Sequence, residues 1–349
     1  MGGAVGAGRP PVSQGSREPL TILGRSQDVA GKYLALWRYS APARSLLNMA
    51  DTVTIKEVGP RDGLQSQPVH LTVEARLELV TALIDARLPE IEVGSFVSPK
   101  AVPQMADTDT LVAALPNSGC TYSVLVPNQK GYELALSAGI TEMGLVVSAT
   151  GLMNQNNIGK GLEDTFSSAE IILERALEDG VDIHVYLAVA FECPYEGLVA
   201  PATVIDQVNR LMRWQPSRLL VADTIGAANP RAVSSLVSEL VRQHGSEVLG
   251  CHFHDTRAMA MTNVFAALEH DVRLFDSAIG GLGGCPFAPG AKGNLATEDL
   301  VTLLESMGVN TGVSLEHLLT AVTTANRLLG ADNYGRSYSW VSRSWQKLG

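Results

Sequence analysis

His252 and His254 flank Phe253 at the end of a β-rich run, 248–253. Alternate side chains of a strand share a face, so both imidazoles emerge on one side, about 6.5–7 Å apart along the backbone. From that spacing two rings can converge on one metal ion through bonds of about 2.1 Å. The dyad alone is a common pattern. Its position at a strand end, just before the helix-start pair Asp255-Thr256, gives it weight. Asp62 is a second candidate, in the turn Gly59-Pro60-Arg61-Asp62-Gly63. A surface turn with a local Arg61–Asp62 ion pair would contribute little, but Pro60 between flanking glycines fixes an unusual path and leaves room for a ligand.

The segment 279–294 (IGGLGGCPFAPGAKGN) is rich in Gly and Pro and carries Cys285. It reads either as a plain surface loop or as a lid that completes a site. An exposed thiol without a role is an oxidation liability, which favours a role for Cys285. Asn294 closes the loop and offers an amide oxygen as a further ligand. Glu92 and Asp223 end two other β-rich runs; each could serve the site, or cap a helix or anchor a loop. His70 and His184 lie elsewhere and are read as structural.

Positioning groups so far apart in sequence requires a scaffold that gathers strand ends. Short β-rich runs fall at 53–58, 90–94, 121–126, 142–148, 182–190, 218–222, 248–253 and 272–278. Stretches of helical spacing lie between them, among them 73–87, 167–179, 230–244 and 256–270. Eight strands alternating with helices over about 250 residues is the arithmetic of a (β/α)8 TIM barrel. A doubly wound sheet would want a Gly-rich phosphate turn after an early strand, and the first run ends instead in the charged turn at 59–63. Further helices are expected at 295–307 and 315–329, followed by a polar tail. The expected division is an N-terminal extension, 1–50, without stable structure, and a barrel domain, 51–349, with a C-terminal helical cap. In a TIM barrel chemistry sits at the C-terminal ends of the strands, where the candidates cluster.

Composition narrows the partners. A net charge of −10 argues against nucleic acid or an anionic membrane as the main partner. No apolar run approaches the roughly 18 residues that span a bilayer. The cysteines, at 120, 193, 251 and 285, form no CxxC pair and suit a reducing compartment with free thiols. Residues 1–48 carry six Lys/Arg against two Asp/Glu. This segment is either a mitochondrial presequence or an extension ahead of a second start at Met49. A cytoplasmic bacterial location is expected, or the mitochondrial matrix if the leader is a transit peptide.

Seven segments together resemble the 3-hydroxy-3-methylglutaryl-CoA lyase family: TIKEVGPRDGLQ (54–65), EVGSFVSPKAVPQMADT (92–108), VPNQKGYE (126–133), AFECPYEG (190–197), ADTIGAANP (222–230), CHFHDT (251–256) and GGLGGCPFAPGAKGNLATEDL (280–300). The first and sixth are shared with the wider superfamily of metal-dependent lyases and synthases, whereas the cysteine loop is specific to the lyases. The resemblance implies Asp62, His252, His254 and Asn294 as ligands of one Mg2+ or Mn2+. It implies Arg61 as the group that stabilises an enolate, Cys285 as a mobile acid/base, and Glu92 and Asp223 as active-site carboxylates. Two imidazoles with two oxygens form a harder set than zinc prefers. The implied reaction is retro-Claisen cleavage of a 3-hydroxyacyl-CoA to acetyl-CoA and a ketoacid. Asp62 and His252 are candidates to take the hydroxyl proton, and Lys100, Lys130 and Lys292 are candidate phosphate contacts that also read as solvated surface lysines. A homodimer is the implied assembly. Phe287, where Tyr is often found, and the details of 151–166 leave the acyl group open to longer 3-alkylglutaryl or citramalyl thioesters. A condensing acyltransferase is a rival, and so is a silent scaffold, although scaffolds tend to lose ligands and this chain keeps them.

Overall fold

Eight runs of apolar and β-branched residues pair in parallel in the computed structural model, which describes Gly2, residues 52–284 and residues 293–346. They are β1 (Thr54–Glu57), β2 (Glu90–Ser95), β3 (Thr121–Leu125), β4 (Glu142–Ser148), β5 (Asp182–Ala188), β6 (Arg218–Asp223), β7 (Leu249–Phe253) and β8 (Leu274–Ser277). Each pairs with its neighbour in sequence, and β1 closes the barrel against β8 with Thr54 opposite Leu274. The TIM-barrel expectation holds. The N-terminal extension expected at 1–50 lies outside the described residues, Gly2 aside, as do Cys285, Phe287 and Lys292.

Two-residue periodicity sorts the strand side chains. Ile55, Ile91, Val93, Val185, Leu187 and Phe275 join helix residues such as Leu79, Leu83, Val208 and Leu236 in one core between barrel and helices. The alternate positions point into the barrel and are unusually polar. Lys56 Nζ lies 3.0 Å from His184 Nδ1 and 3.8 Å from Glu142, and Arg218 Nη1 donates to both oxygens of Glu90. Two residues further along their strands, Tyr186 and Leu220 pack with Leu274. A parallel barrel usually fills this space with branched apolar residues, and here paired charges fill part of it.

Several boundaries move. The run expected at 182–190 stops at Ala188, because Val189 takes a left-handed backbone (φ 51°) and its amide donates to Thr224 Oγ1 at 2.9 Å. The helix expected at 256–270 spans Ala260–Leu268. Ala258 is left-handed there, and Asp255 Oδ1 accepts the amide of Ala260, so the acid caps the helix from further upstream. The C-terminal helices run Thr297–Ser306 and Leu315–Leu329, and the polar tail forms one more, Tyr338–Gln346. Its connecting segment is pinned through backbone amides: Asp299 accepts those of Arg336 and Ser337, and Glu298 accepts that of Gly335 while also taking the amide of Gly280 after β8.

Glu57 couples the first and last strands. Its Oε1 accepts the amides of Gly59 (2.8 Å) and Ile279 (3.0 Å), and its Oε2 the hydroxyl of Thr297 (2.6 Å). Burial pushes its carboxyl up to about 7, and does the same to Glu142 and Glu298. Between the ordinary value of 4.5 and about 7 the folded chain keeps protons that the unfolded chain releases. This contribution is therefore full below 4.5 and is lost as pH rises through about 7. Calorimetry is expected to give a lower Tm at about pH 8 than at about pH 5. Glu57→Gln, which keeps an acceptor for both amides and can donate to Thr297, is expected to shrink that difference.

Candidate active site

The turn after β1 is wound so tightly that the amides of Arg61, Asp62 and Gly63 all donate to the carbonyl of Val58, at 3.1, 2.7 and 3.2 Å. It presents Arg61 and Asp62 at the barrel mouth. β7 carries His252, and the chain continues through His254, their rings 5.2 Å apart and tilted by 48°. The candidate ligand atoms of Asp62, His252 and His254 lie within 4.8 Å of one another.

Asn294 arrives by a route that no local pattern reveals. After the cysteine loop the chain returns between the ends of β7 and β8. Leu295 donates to the carbonyl of Phe253, and Ala278 donates to that of Leu295, each at 3.0 Å. This extra rung bridges Asn294 to His254. Asn294 Nδ2 donates to Asp62 Oδ2 (2.7 Å) and to the carbonyl of Leu282 (2.9 Å). Both partners are acceptors, so the amide orientation is determined. Its Oδ1 is then left buried without a hydrogen-bond partner, a state that native interiors avoid. Gly283 makes the approach possible: at φ 121°, a Cβ on it would lie 2.5 Å from Asn294 Nδ2.

Charge at the site is tightly organised. Burial works to raise the Asp62 carboxyl, but Arg61, with His252 and His254, outweighs it and holds it at about 2. Arg61 Nη1 donates to Asp62 Oδ1 at 2.8 Å, and Nε donates to Glu92 Oε2. For His252, burial opposes the cation, but the hydrogen bond and charge of Asp276 raise its pKa above the ordinary value.

The sequence candidates divide in this geometry. Asp62, His252, His254 and Asn294 come together, with Arg61 beside them. Glu92 is wholly buried and bonds Arg61, so it braces the guanidinium. Asp223 accepts the amides of Ala227 (2.8 Å) and Ala228 (3.0 Å), the loop-anchoring alternative, and burial pushes its carboxyl up to about 6. Lys100 and Lys130 are exposed, as is His70. His184 lies in the barrel interior with Glu90 and Glu142, a second group with metal-ligand spacing, but Lys56 Nζ already stands 3.0 Å from the ring and supplies the cation. Sequence reading passed over Glu57, Tyr186 and Asp276. An acid within the β-rich run at 272–278 was the available signal for Asp276.

A closed parallel barrel that gathers an Asp, two His and an orphaned amide oxygen at the C-terminal ends of its strands defines a TIM-barrel enzyme with a candidate divalent-metal centre. The chain belongs to the HMGL-like family, whose model matches residues 52–324. It is 41% identical over 286 residues to a hydroxymethylglutaryl-CoA lyase of Pseudomonas mevalonii, covering 82% of this chain and 95% of that one. The crystal structure of hydroxymethylglutaryl-CoA lyase from Pseudomonas aeruginosa superposes with a TM-score of 0.82 at 36% identity, covering 85% of this chain and all of that one. An HMG-CoA lyase from Acinetobacter baumannii, in complex with coenzyme A and 3-methylmalate, gives 0.80 at 36% identity over 84% and 96% of the two chains. Among the described residues no helix is long and apolar enough to cross a membrane.

Proposed function

We propose that this chain is a divalent-metal-dependent carbon–carbon lyase that cleaves 3-hydroxy-3-methylglutaryl-CoA to acetyl-CoA and acetoacetate. The orphaned Oδ1 of Asn294 beside Asp62, His252 and His254 carries the reading, because a cation is the partner this donor set lacks. The set is two imidazoles and two oxygens, with no thiolate, and suits Mg2+ or Mn2+. When bound, the cation polarises the substrate oxygens and makes the tertiary hydroxyl easier to deprotonate.

The chain's own residues supply the rest. Transfer of the hydroxyl proton to a solvent base lets the C2–C3 bond break, the C3 oxygen becoming the ketone of acetoacetate and the bonding pair moving into the enolate of acetyl-CoA. Arg61, with Nε and Nη1 engaged by Glu92 and Asp62, keeps Nη2 to meet the charge on the thioester oxygen. The enolate carbon then takes a proton from Cys285 Sγ, thiols as a class being mostly protonated at neutral pH. Asp62, held at about 2, is a poor acceptor for the hydroxyl proton. Asp276 occupies Nδ1 of His252, so that ring cannot both ligate and act as a base.

Incubation with 3-hydroxy-3-methylglutaryl-CoA is expected to yield acetyl-CoA and acetoacetate. EDTA should abolish the activity, and Mg2+ or Mn2+ should restore it. Cleavage only of longer 3-alkylglutaryl or citramalyl thioesters would change the acyl assignment. Thiol release only from acetyl-CoA plus a 2-ketoacid would make the chain a condensing enzyme. Indifference to chelation would remove the metal from the mechanism. The proposed homodimer is tested by light scattering against the chain mass of 37.0 kDa.

A further inference from the structure

Asp276 lies on β8 directly opposite His252 on β7, the two paired in register across adjacent strands. Its side chain is wholly buried, and its Oδ2 stands 3.2 Å from His252 Nδ1. Tyr186 closes another side of the ring, edge-on with centroids 6.3 Å apart. An ionised carboxylate can only accept, so an imidazole nitrogen 3.2 Å from one is the nitrogen that carries the hydrogen. The lone pair is then left on Nε2, the other ring nitrogen. An isolated neutral histidine has no such constraint, and which nitrogen is protonated is set by what the ring touches.

We propose that Asp276 is a positioning residue for the metal centre: it holds His252 in the Nδ1–H tautomer and orients Nε2 as the ligand atom. The inference rests on the metal-site reading above and adds to it a group that touches neither metal nor substrate. It accounts for the acid of β8, wholly buried, and for its register with one of the two imidazoles. A hydrogen-bonded carboxylate behind a ligating ring fixes its direction and raises its donor strength, and loss of such a group weakens metal affinity by about 10–100-fold.

The experiment uses the full-length, metal-free protein and two readouts. In 15N spectra of histidine-labelled protein at alkaline pH, with His252 assigned by difference from His252→Gln, His252 is expected as the Nδ1–H tautomer. An Nε2–H signature in the wild-type protein overturns the proposal whether or not any variant folds. In Mn2+ titrations followed by electron paramagnetic resonance of the free ion, Asp276→Ala is expected to bind about 10–100-fold more weakly than wild type. Asp276→Asn, which keeps an acceptor for Nδ1–H, should recover most of that loss and keep the tautomer. A folded Asp276→Ala protein with wild-type Mn2+ affinity overturns the positioning role. Failure of the wild-type protein itself to bind Mn2+ overturns the metal-site reading, a result separate from the other two.

Discussion

Arg61→Lys is expected to lower kcat by about 10²–10³-fold or more, the loss that follows when a preorganised donor to a developing oxyanion is removed. The guanidinium does three things with one rigid plane. Nε bonds Glu92, Nη1 bonds Asp62, and Nη2 remains for substrate. An ammonium on a flexible stem keeps the charge but cannot reach three directions from one fixed position. Because the charge is kept, Asp62 and Glu92 are not left without a cation, and the fold should survive. Arg61→Ala is the contrast: removing one partner of a buried ion pair destabilises by about 3–5 kcal/mol, so its Tm should drop well below that of the Lys variant. The measurement is kcat and KM at saturating Mn2+, beside thermal melts. Near-normal turnover in a folded Arg61→Lys protein would refute the role given to the guanidinium.

Cys285→Ala is expected to leave Mn2+ binding nearly unchanged and to lower turnover by about 10²–10⁴-fold, the range typical of a removed proton donor. The argument is one of donor sets. Asp62, His252 and His254 already converge, and Asn294 Oδ1 lies beside them without a hydrogen-bond partner, so a cation held there would have four ligands without sulfur. A thiol added to them would pull the preference toward zinc. A proton donor to carbon needs a pKa near working pH, which a thiol meets and an alanine methyl cannot. Single-turnover assays with solvent deuterium would show whether protonation of the enolate is the step that fails. Loss of Mn2+ binding in the variant would make the cysteine a ligand instead.

The alternation of eight β-rich runs with helical stretches was enough to specify a barrel, because the periods of 2 and 3.6 are written locally in apolar spacing. The His252–His254 pair and the Arg61-Asp62 turn were legible for the same reason, since residues that share a strand end or a tight turn advertise a common face. Barrel logic placed these groups at one mouth, and Asn294 was a candidate ligand from its place at the end of the Gly-rich loop, but only the resemblance joined the four into one set. No local rule places a residue at 294 beside one at 62; the Asp62–Asn294 bond depends on the returning rung between β7 and β8. Glu92 and Asp223 show the same limit from the other side. Both were expected at strand ends, but Glu92 lies within β2 and braces Arg61, whereas Asp223 ends β6 and anchors a loop, and the choice follows from which donors lie within 3 Å.

What the amino-acid order determined by itself, then, was the number and kind of elements and which residues end them, since those depend on neighbours a few positions away. Tertiary structure alone decided the pairing of Asp276 with His252, the charged filling of the barrel around Lys56, and the three-way grip of Glu57 on the first and last strands. Each depends on strand register and barrel closure, which bring together side chains 24 to 240 positions apart.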